Sequence, residues 1–253
     1  MTATPSGMTY ADYLDLERIL NAQHCRSQLH DEMLFIVIHQ TKELWLKQML
    51  HEVALAISLV KADKPSEAYK ALSRVSRIQS VMTMSWDVLA TLTPVDYSKF
   101  RDVLGTSSGF QSAQFRELEY RLGIKDPKFL NFYEGGQEGH RRLKAALDAP
   151  SLWDEANAAL ARAGFETGDS EAIRKGWLAV YQAADSHFEL YQLAEKLVDI
   201  DDALAGWRHK HLLTVERIIG MKKGTGGSAG AKYLASTLSK RAFPELWSIR
   251  TEL

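Results

Sequence analysis

Long stretches of this sequence carry apolar residues three or four positions apart, and this spacing limits the chain to a helical fold. Between Asp31 and Val60 the repeat runs without a proline or a glycine. Strands would need alternating polar and apolar residues or β-branched runs, and neither pattern is found. We therefore predict an all-α protein built as a bundle of long antiparallel helices.

The boundaries of the predicted helices follow from residues that start or stop helices. Asp31 is an N-cap or first-turn acid of a helix that extends to about Val60. Ser66 follows Pro65 and starts a second helix, to about Ala90, that pairs with the first. The stretch 92–109, rich in glycine and serine, is predicted to be a loop. Further helices are predicted at about 112–122, 137–147, 151–163, 170–197, 203–219 and 233–250.

Composition excludes several classes of function. The chain has 253 residues, with 31 basic and 32 acidic side chains and a net charge of -1, so no overall field attracts nucleic acid or an anionic membrane. Met1–Gly7 lacks the pattern of a signal peptide, and no apolar stretch is long enough to span a membrane. We expect a cytoplasmic protein with a single domain over residues 1–253.

The number of cysteines excludes two kinds of covalent link. Cys25 is the only cysteine in the sequence, so neither an internal disulfide nor a C-x-x-C-H haem attachment is possible. We interpret Cys25 as an inert thiol.

Histidines on two predicted helices are candidates for chemistry. Phe35 and His39 are four residues apart and share one helix face, although a histidine there is more often a core or surface group. His209 and His211 are two residues apart, so at most one faces inward. One inward imidazole on a rigid helix would suit an axial haem ligand, whereas the alternative is a histidine that faces solvent. We predict that Asp201 and Asp202 cap the helix that bears His211.

Two loops could bind a small ligand. Arg101 follows Tyr97 by four residues, and a guanidinium beside a phenol can bind a carboxylate, although a surface ion pair is the alternative. The loop from Lys222 to Gly230 lacks the order of a phosphate-binding loop and follows a helix. We interpret this loop as a mobile lid whose amides and Thr225 hydroxyl close over a ligand.

Taken together, four motifs resemble the tryptophan 2,3-dioxygenase family in its short bacterial form, from Tyr10 to Leu253. The resemblance implies an all-helical homotetramer with non-covalent b-type haem, active in the ferrous state, in which the N-terminal segment, about residues 1–25, reaches a neighbouring subunit. The sequence departs from the family where Phe115 replaces a frequent tyrosine. The motifs are YADYL at Tyr10–Leu14, HDEMLFIVIHQTKELW at His30–Trp45, FRDVLGTSSGFQS at Phe100–Ser112, and WRHKH at Trp207–His211 followed by GTGGS at Gly224–Ser228.

The resemblance also implies roles for individual residues. His211 becomes the axial ligand of the haem iron, with Ser108 and Gly109 beside the haem. His39 becomes the distal histidine that meets the indole N–H. The remaining residues implied to bind substrate are Phe35, Ile36, Val37 and Ile38, with Phe35 on the indole ring; Tyr97 and Arg101 at the carboxylate; Thr225 at the ammonium group; and Tyr10 and Tyr13, which complete a neighbour's pocket.

The implied reaction is the opening of the indole ring of L-tryptophan by O2 to give N-formyl-L-kynurenine, the first step of tryptophan catabolism by the kynurenine pathway. Two alternatives stay open at this point. The first is a related haem enzyme that oxygenates a substituted indole or tryptophan. The second is a haem-binding bundle without turnover.

Overall fold

The computed structural model describes residues 7–253, and within them the chain is helical with no strand. The prediction of an all-α fold is confirmed. Single 3-10 turns lie at Arg101–Leu104, Gly109–Gln111, Pro127–Phe132 and Ile249–Glu252. The α-helices of the described residues are α1 Tyr10–Leu14, α2 Leu16–Leu20, α3 His30–Lys61, α4 Pro65–Leu89, α5 Pro94–Phe100, α6 Ala113–Leu122, α7 Glu138–Asp148, α8 Leu152–Arg162, α9 Ser170–Gln182, α10 Phe188–Ile219, α11 Ala231–Ser236 and α12 Pro244–Ser248.

The three longest helices form the frame of the molecule. Helix α4 packs along both α3 and α10 and so lies between them. Fully buried apolar side chains from all three helices meet in the main core, among them Val53, Leu72, Val75, Leu193 and Leu197. Because these long helices share one packed core, side chains near their ends are held at fixed separations.

The prediction of a loop over residues 92–109 is wrong for the first half of that stretch. Helix α5 begins at Pro94, whose missing N–H costs nothing at the first helical position. The hydroxyl of Thr93 accepts a hydrogen bond from the backbone N–H of Asp96 and donates one to its carboxylate. These start signals outweigh the loop composition that follows, and only the segment after Leu104 is irregular.

The predicted boundaries of the later helices also need correction. A helix was expected over 170–197 and another over 203–219, but the chain breaks at 183–187 and then runs through 188–219 as the single helix α10. The last predicted helix, 233–250, is instead two short helices separated by a turn, with Pro244 starting the second.

Asp201 lies in the middle of α10 and does not cap it, which corrects the prediction. Its side chain is fully buried, and Oδ2 accepts hydrogen bonds from the backbone N–H groups of Ala242 and Phe243 and from Nε1 of Trp247. Asp202 is exposed. A buried carboxylate with several donors holds the C-terminal segment against the helix that carries His211.

The N-terminal segment makes few contacts within the chain. Helices α1 and α2 have no buried residue, and the side chains of Tyr10 and Tyr13 are 76% and 75% exposed. Cys25 is an exposed free thiol. Part of the segment predicted to reach a neighbour, residues 1–6, lies outside the described residues.

Replacing Asp201 with alanine should destabilise the protein strongly. Three donors, two of them in buried hydrogen bonds, would lose their acceptor, which costs about 3 kcal/mol in unfolding free energy and corresponds to a fall in Tm of about 6 to 12 °C for a chain of this size. Calorimetry would measure the Tm, with Asp202→Ala as the matched exposed control. Equal Tm values for the two variants would contradict this account of Asp201.

Candidate active site

A cavity of about 1140 Å³ opens between α3, α4 and α10. Pockets for a single small ligand usually enclose about 300 to 1,000 Å³, so this cavity has room for more than one small molecule. Two loops close its side, 107–112 and 224–230, and α11 adds Tyr233 and Leu234. The cavity therefore joins the ends of the helical frame to the two glycine-rich motifs of the sequence.

His39 faces the cavity from α3. Its Nδ1 lies 2.7 Å from the backbone carbonyl of Phe35, and because a carbonyl only accepts, Nδ1 carries the proton. Burial lowers the pKa of His39 below its usual 6.5, so the ring is neutral and Nε2 is left as an acceptor. The ring of Phe35 lies 4.3 Å from that of His39 and also contacts Tyr97 and Phe100.

His211 lines the cavity from α10. Its ring stacks on Trp86 of α4, with centroids 4.3 Å apart and planes 10° apart. Burial is the main cause that lowers the pKa of His211, to about 3, so its imidazole is neutral, the form that binds metals. His209, two residues earlier on the helix, is exposed, and the two histidines point in different directions.

Tyr97 and Arg101 are neighbours beside the cavity. Tyr97 is buried and lines the cavity, and burial raises its pKa. The Arg101 guanidinium approaches the Tyr97 hydroxyl and donates a hydrogen bond to the backbone carbonyl of Lys223. Arg101 itself is half-buried and does not line the cavity. It links the Tyr97 phenol to the loop from Lys222 to Gly230, the loop of the 220s.

The two glycine-rich loops touch each other over the cavity. The hydroxyl of Thr225 donates to the carbonyl of Ser107, and a Cβ added to Gly226 would lie 2.6 Å from Cβ of Ser108. Only glycine allows this approach. Thr225, Ser108 and Gly109 all line the cavity, so the loop interpreted as a lid lies closed in this structure.

Several residues predicted to bind substrate are not at this cavity. Ile36 lines it, but Val37 is exposed and Ile38 packs into a small core cluster with Trp86. Successive residues of a helix point about 100° apart, so a run of five cannot share one face. Tyr10 and Tyr13 do not line the cavity of their own chain.

The structure also adds polar residues that the sequence analysis missed. Arg116 is buried, pairs with Glu119 at 2.7 Å and reaches the Tyr233 hydroxyl at 3.3 Å. Glu119 also accepts from the buried Arg208 at 2.8 Å. Nε of Arg116 and Nε1 of Trp207 are buried without a partner among the described residues. Phe115 packs on Trp207, with ring centroids 4.9 Å apart.

Buried donors that lack acceptors are uncommon, and both Arg116 and Trp207 line the cavity. Each of them could donate to an acidic group of a ligand held inside it. In a sequence, an arginine or a tryptophan within a predicted helix resembles an ordinary surface or core residue. The burial of Arg116 is visible only in the structure.

A helical frame around so large a cavity, with neutral histidines supplied by two different helices, is typical of enzymes that hold a large prosthetic group. The profile of the family described as Tryptophan 2,3-dioxygenase matches residues 1–171 and 169–253. The chain belongs to this family.

Individual relatives agree with the family over almost the whole chain. The tryptophan 2,3-dioxygenase of Caulobacter vibrioides is 60% identical, covering 97% of this chain and 98% of that protein. The enzyme of that name from Bacillus thuringiensis subsp. konkukian is 52% identical, over 97% and 93% of the two chains. That from Shewanella woodyi is 48% identical, over 97% and 91%. Within residues 7–253, no helix has the length and apolar character needed to cross a membrane.

Replacing Gly226 with alanine should open the loop of the 220s, because its Cβ would overlap Ser108. Overpacking of this kind costs about 1 to 3 kcal/mol, so the open population should rise roughly 5- to 150-fold. The rate of trypsin cleavage after Lys222 and Lys223 measures that population. Gly109→Ala on the facing loop is the control, since its added Cβ meets no atom within 4 Å. Equal cleavage of the two variants would refute the contact.

Proposed function

We propose that this protein is a haem-dependent dioxygenase that cleaves the indole C2–C3 bond of L-tryptophan with O2. The product is N-formyl-L-kynurenine, and the reaction is the first step of tryptophan catabolism by the kynurenine pathway. The observation that carries the proposal is one cavity with two neutral histidines, His39 from α3 and His211 from α10. Family membership and relatives of the same name support it.

The residues around the cavity fit b-type haem. His211 offers a neutral nitrogen on a rigid helix and would hold the haem iron. The unpartnered donors of Arg116 and Trp207 fit a haem carboxylate, and Ser108 and Gly109 line the same cavity. Ferrous haem, when bound, supplies the binding and activation of O2. The protein's own residues then have to bind the indole, orient it and exclude water.

His39 and Phe35 fit the indole. Nε2 of His39 is an acceptor for the indole N–H, because Nδ1 is engaged by the carbonyl of Phe35. The neighbouring Phe35 ring gives an apolar surface on which the indole packs. Both oxygen atoms of O2 enter the product and no net proton is consumed. We propose that His39 orients the substrate and that no obligatory base is needed at this position.

Tyr97, Arg101 and Thr225 fit the amino-acid head group. A carboxylate can take the place of the Lys223 carbonyl at the Arg101 guanidinium, where it gains a planar, charge-assisted partner beside the Tyr97 hydroxyl. Thr225 lies on the loop that closes over the cavity and offers an oxygen to the ammonium group. Closure removes water and strengthens these contacts. A substrate without the carboxylate should be rejected.

We further propose that residues 1–253 act as one domain within a homotetramer. The exposed rings of Tyr10 and Tyr13 on α1 make few contacts in their own chain. In an assembly they could complete the cavity of a neighbouring subunit, which is the use that best fits two large exposed aromatic rings.

The decisive experiment is reduction of the holoenzyme without oxygen, followed by O2 and L-tryptophan. The haem Soret band and the near-ultraviolet absorbance of formylkynurenine are followed together. A Soret band with product formation supports the proposal, and His211→Ala should lose the normal Soret spectrum. Haem without product from tryptophan, but with turnover of a methylated indole, would favour a related oxygenase. Haem with no turnover would favour a binding bundle, and absence of haem despite an adequate supply would overturn the proposal.

His39→Ala should keep measurable turnover but lower kcat/KM for tryptophan. The indole N–H would lose its acceptor at a cost of about 1 to 3 kcal/mol, or roughly 5- to 150-fold. Steady-state kinetics would test this, with His209→Ala as the exposed control. Complete loss of turnover while indole binding stays intact would show that His39 is an obligatory base.

The pH profile gives a second test of His39. Its pKa lies below 6.5, so the ring is neutral at pH 7 and protonation at lower pH places a hydrogen on Nε2. The acceptor is then lost, and kcat/KM of the wild type should decline as the pH falls through this lowered pKa. His39→Ala should lack that decline. A decline shared by both proteins would assign it to another group.

Deleting residues 1–15 should weaken tryptophan binding and assembly together, since the segment carries Tyr10 and Tyr13. Sedimentation velocity would give the oligomeric state and a tryptophan titration the affinity. A monomeric deletion variant with full activity would contradict the proposed role of the N-terminal segment.

A further inference from the structure

Lys42 is a buried lysine with no role in the chemistry described so far. It lies on α3 one turn after His39, its side chain is 6% exposed, and it lines the cavity. Its Nζ sits over the ring of Trp86, 2.8 Å from the ring centroid. Trp86 in turn stacks on His211, so the lysine lies on the side of the cavity assigned to the cofactor.

The Lys42 amine has no acceptor. Among residues 7–253, Nζ is buried without a hydrogen-bond partner, and Nε1 of Trp86 is likewise unpartnered. An ammonium group buried in this way is costly unless it is paired. Burial accordingly lowers the pKa of Lys42 to about 6, the direction expected for an amine that lacks a counter-ion.

The carboxylates that line the same cavity are already engaged. Glu119 accepts hydrogen bonds from both Arg116 and Arg208, and Glu43 accepts one from the side chain of Gln114 at 2.8 Å. Glu32 accepts hydrogen bonds from the backbone N–H of Arg26 and from Ser27. The protein therefore supplies an amine and an indole N–H side by side without the acid that would satisfy them. The acid has to come from what the cavity binds.

We propose that Lys42 and the indole N–H of Trp86 form a second carboxylate site for the bound haem, in addition to the site at Arg116 and Trp207. This inference rests on the proposed function. Haem carries two carboxylates, and among the described residues unpartnered buried donors belong to two basic side chains and two tryptophans of the cavity lining, of which Lys42 lies directly on Trp86. The substrate carboxylate is a weaker match, because Tyr97 and Arg101 lie elsewhere at the loop of the 220s.

The test measures how fast the ferric holoenzyme loses haem to excess apomyoglobin, in the absence of tryptophan. Lys42→Met keeps the length of the side chain and removes its charge. Loss of a charge-assisted hydrogen bond should accelerate haem loss roughly 10- to 100-fold. Lys47→Met, the same change at an exposed position of the same helix, should leave the rate unchanged.

The same rates are then measured for enzyme reconstituted with haem dimethyl ester, which lacks both free carboxylates. The wild type and Lys42→Met should lose the ester at equal rates. If Lys42→Met accelerates the loss of haem and of the ester by the same factor, Lys42 only packs on Trp86 and the inference is wrong. It is also wrong if haem loss is unchanged and only tryptophan binding weakens, since the acid would then belong to the substrate.

Folding and cofactor binding can be separated in this experiment. Lys42→Met replaces an unpartnered buried amine with an apolar side chain, so its Tm without haem should equal or exceed that of the wild type. A lower Tm would indicate a structural role and would count against the inference. A wild type that binds no haem would instead overturn the proposed function itself.

Discussion

Helix α4 packs along both α3 and α10, and the width of the cavity depends on this contact. Trp86, near the end of α4, is buried and stacks on His211 of α10, while Lys42 of α3 lies over the same indole. A single ring thus sets the spacing of two functional helices. Because packed interiors yield little to side-chain forces, the separation between His39 and His211 is a property of the core rather than of the loops.

Several polar groups that line the cavity lack a hydrogen-bond partner among residues 7–253. Buried donors on Lys42, Trp86, Arg116 and Trp207 have no acceptor within the described residues. Native interiors rarely leave such groups unpaired. Each one lowers the stability of the empty protein and raises its affinity for an acidic, largely apolar molecule, so the binding of such a ligand would stabilise the folded state.

The sequence predicted those parts of the fold and the site that depend on local patterns, and it missed those that depend on contacts between distant residues. Pro65 and an uninterrupted apolar repeat located α3 and α4 to within a few residues, and motifs located His39 and His211. The break at 183–187 contains no glycine or proline to reveal it, and Asp201 resembles an N-cap although its partners lie some forty residues later. Lys42 shares a helix face with His39, but a missing acceptor is visible only in three dimensions.

The carboxylate of Asp201 has a consequence for biosynthesis. It joins the middle of α10 to Ala242, Phe243 and Trp247, which follow it by some forty residues. Phe243, Leu246 and Ile249 also fill the main core. Domains fold during synthesis from the N-terminus onward, yet the helix with His211 gains these partners only after residues 242–247 have left the ribosome. The cavity is therefore completed late in a nascent chain, and a product truncated before residue 242 would lack the contacts that hold α10 in place.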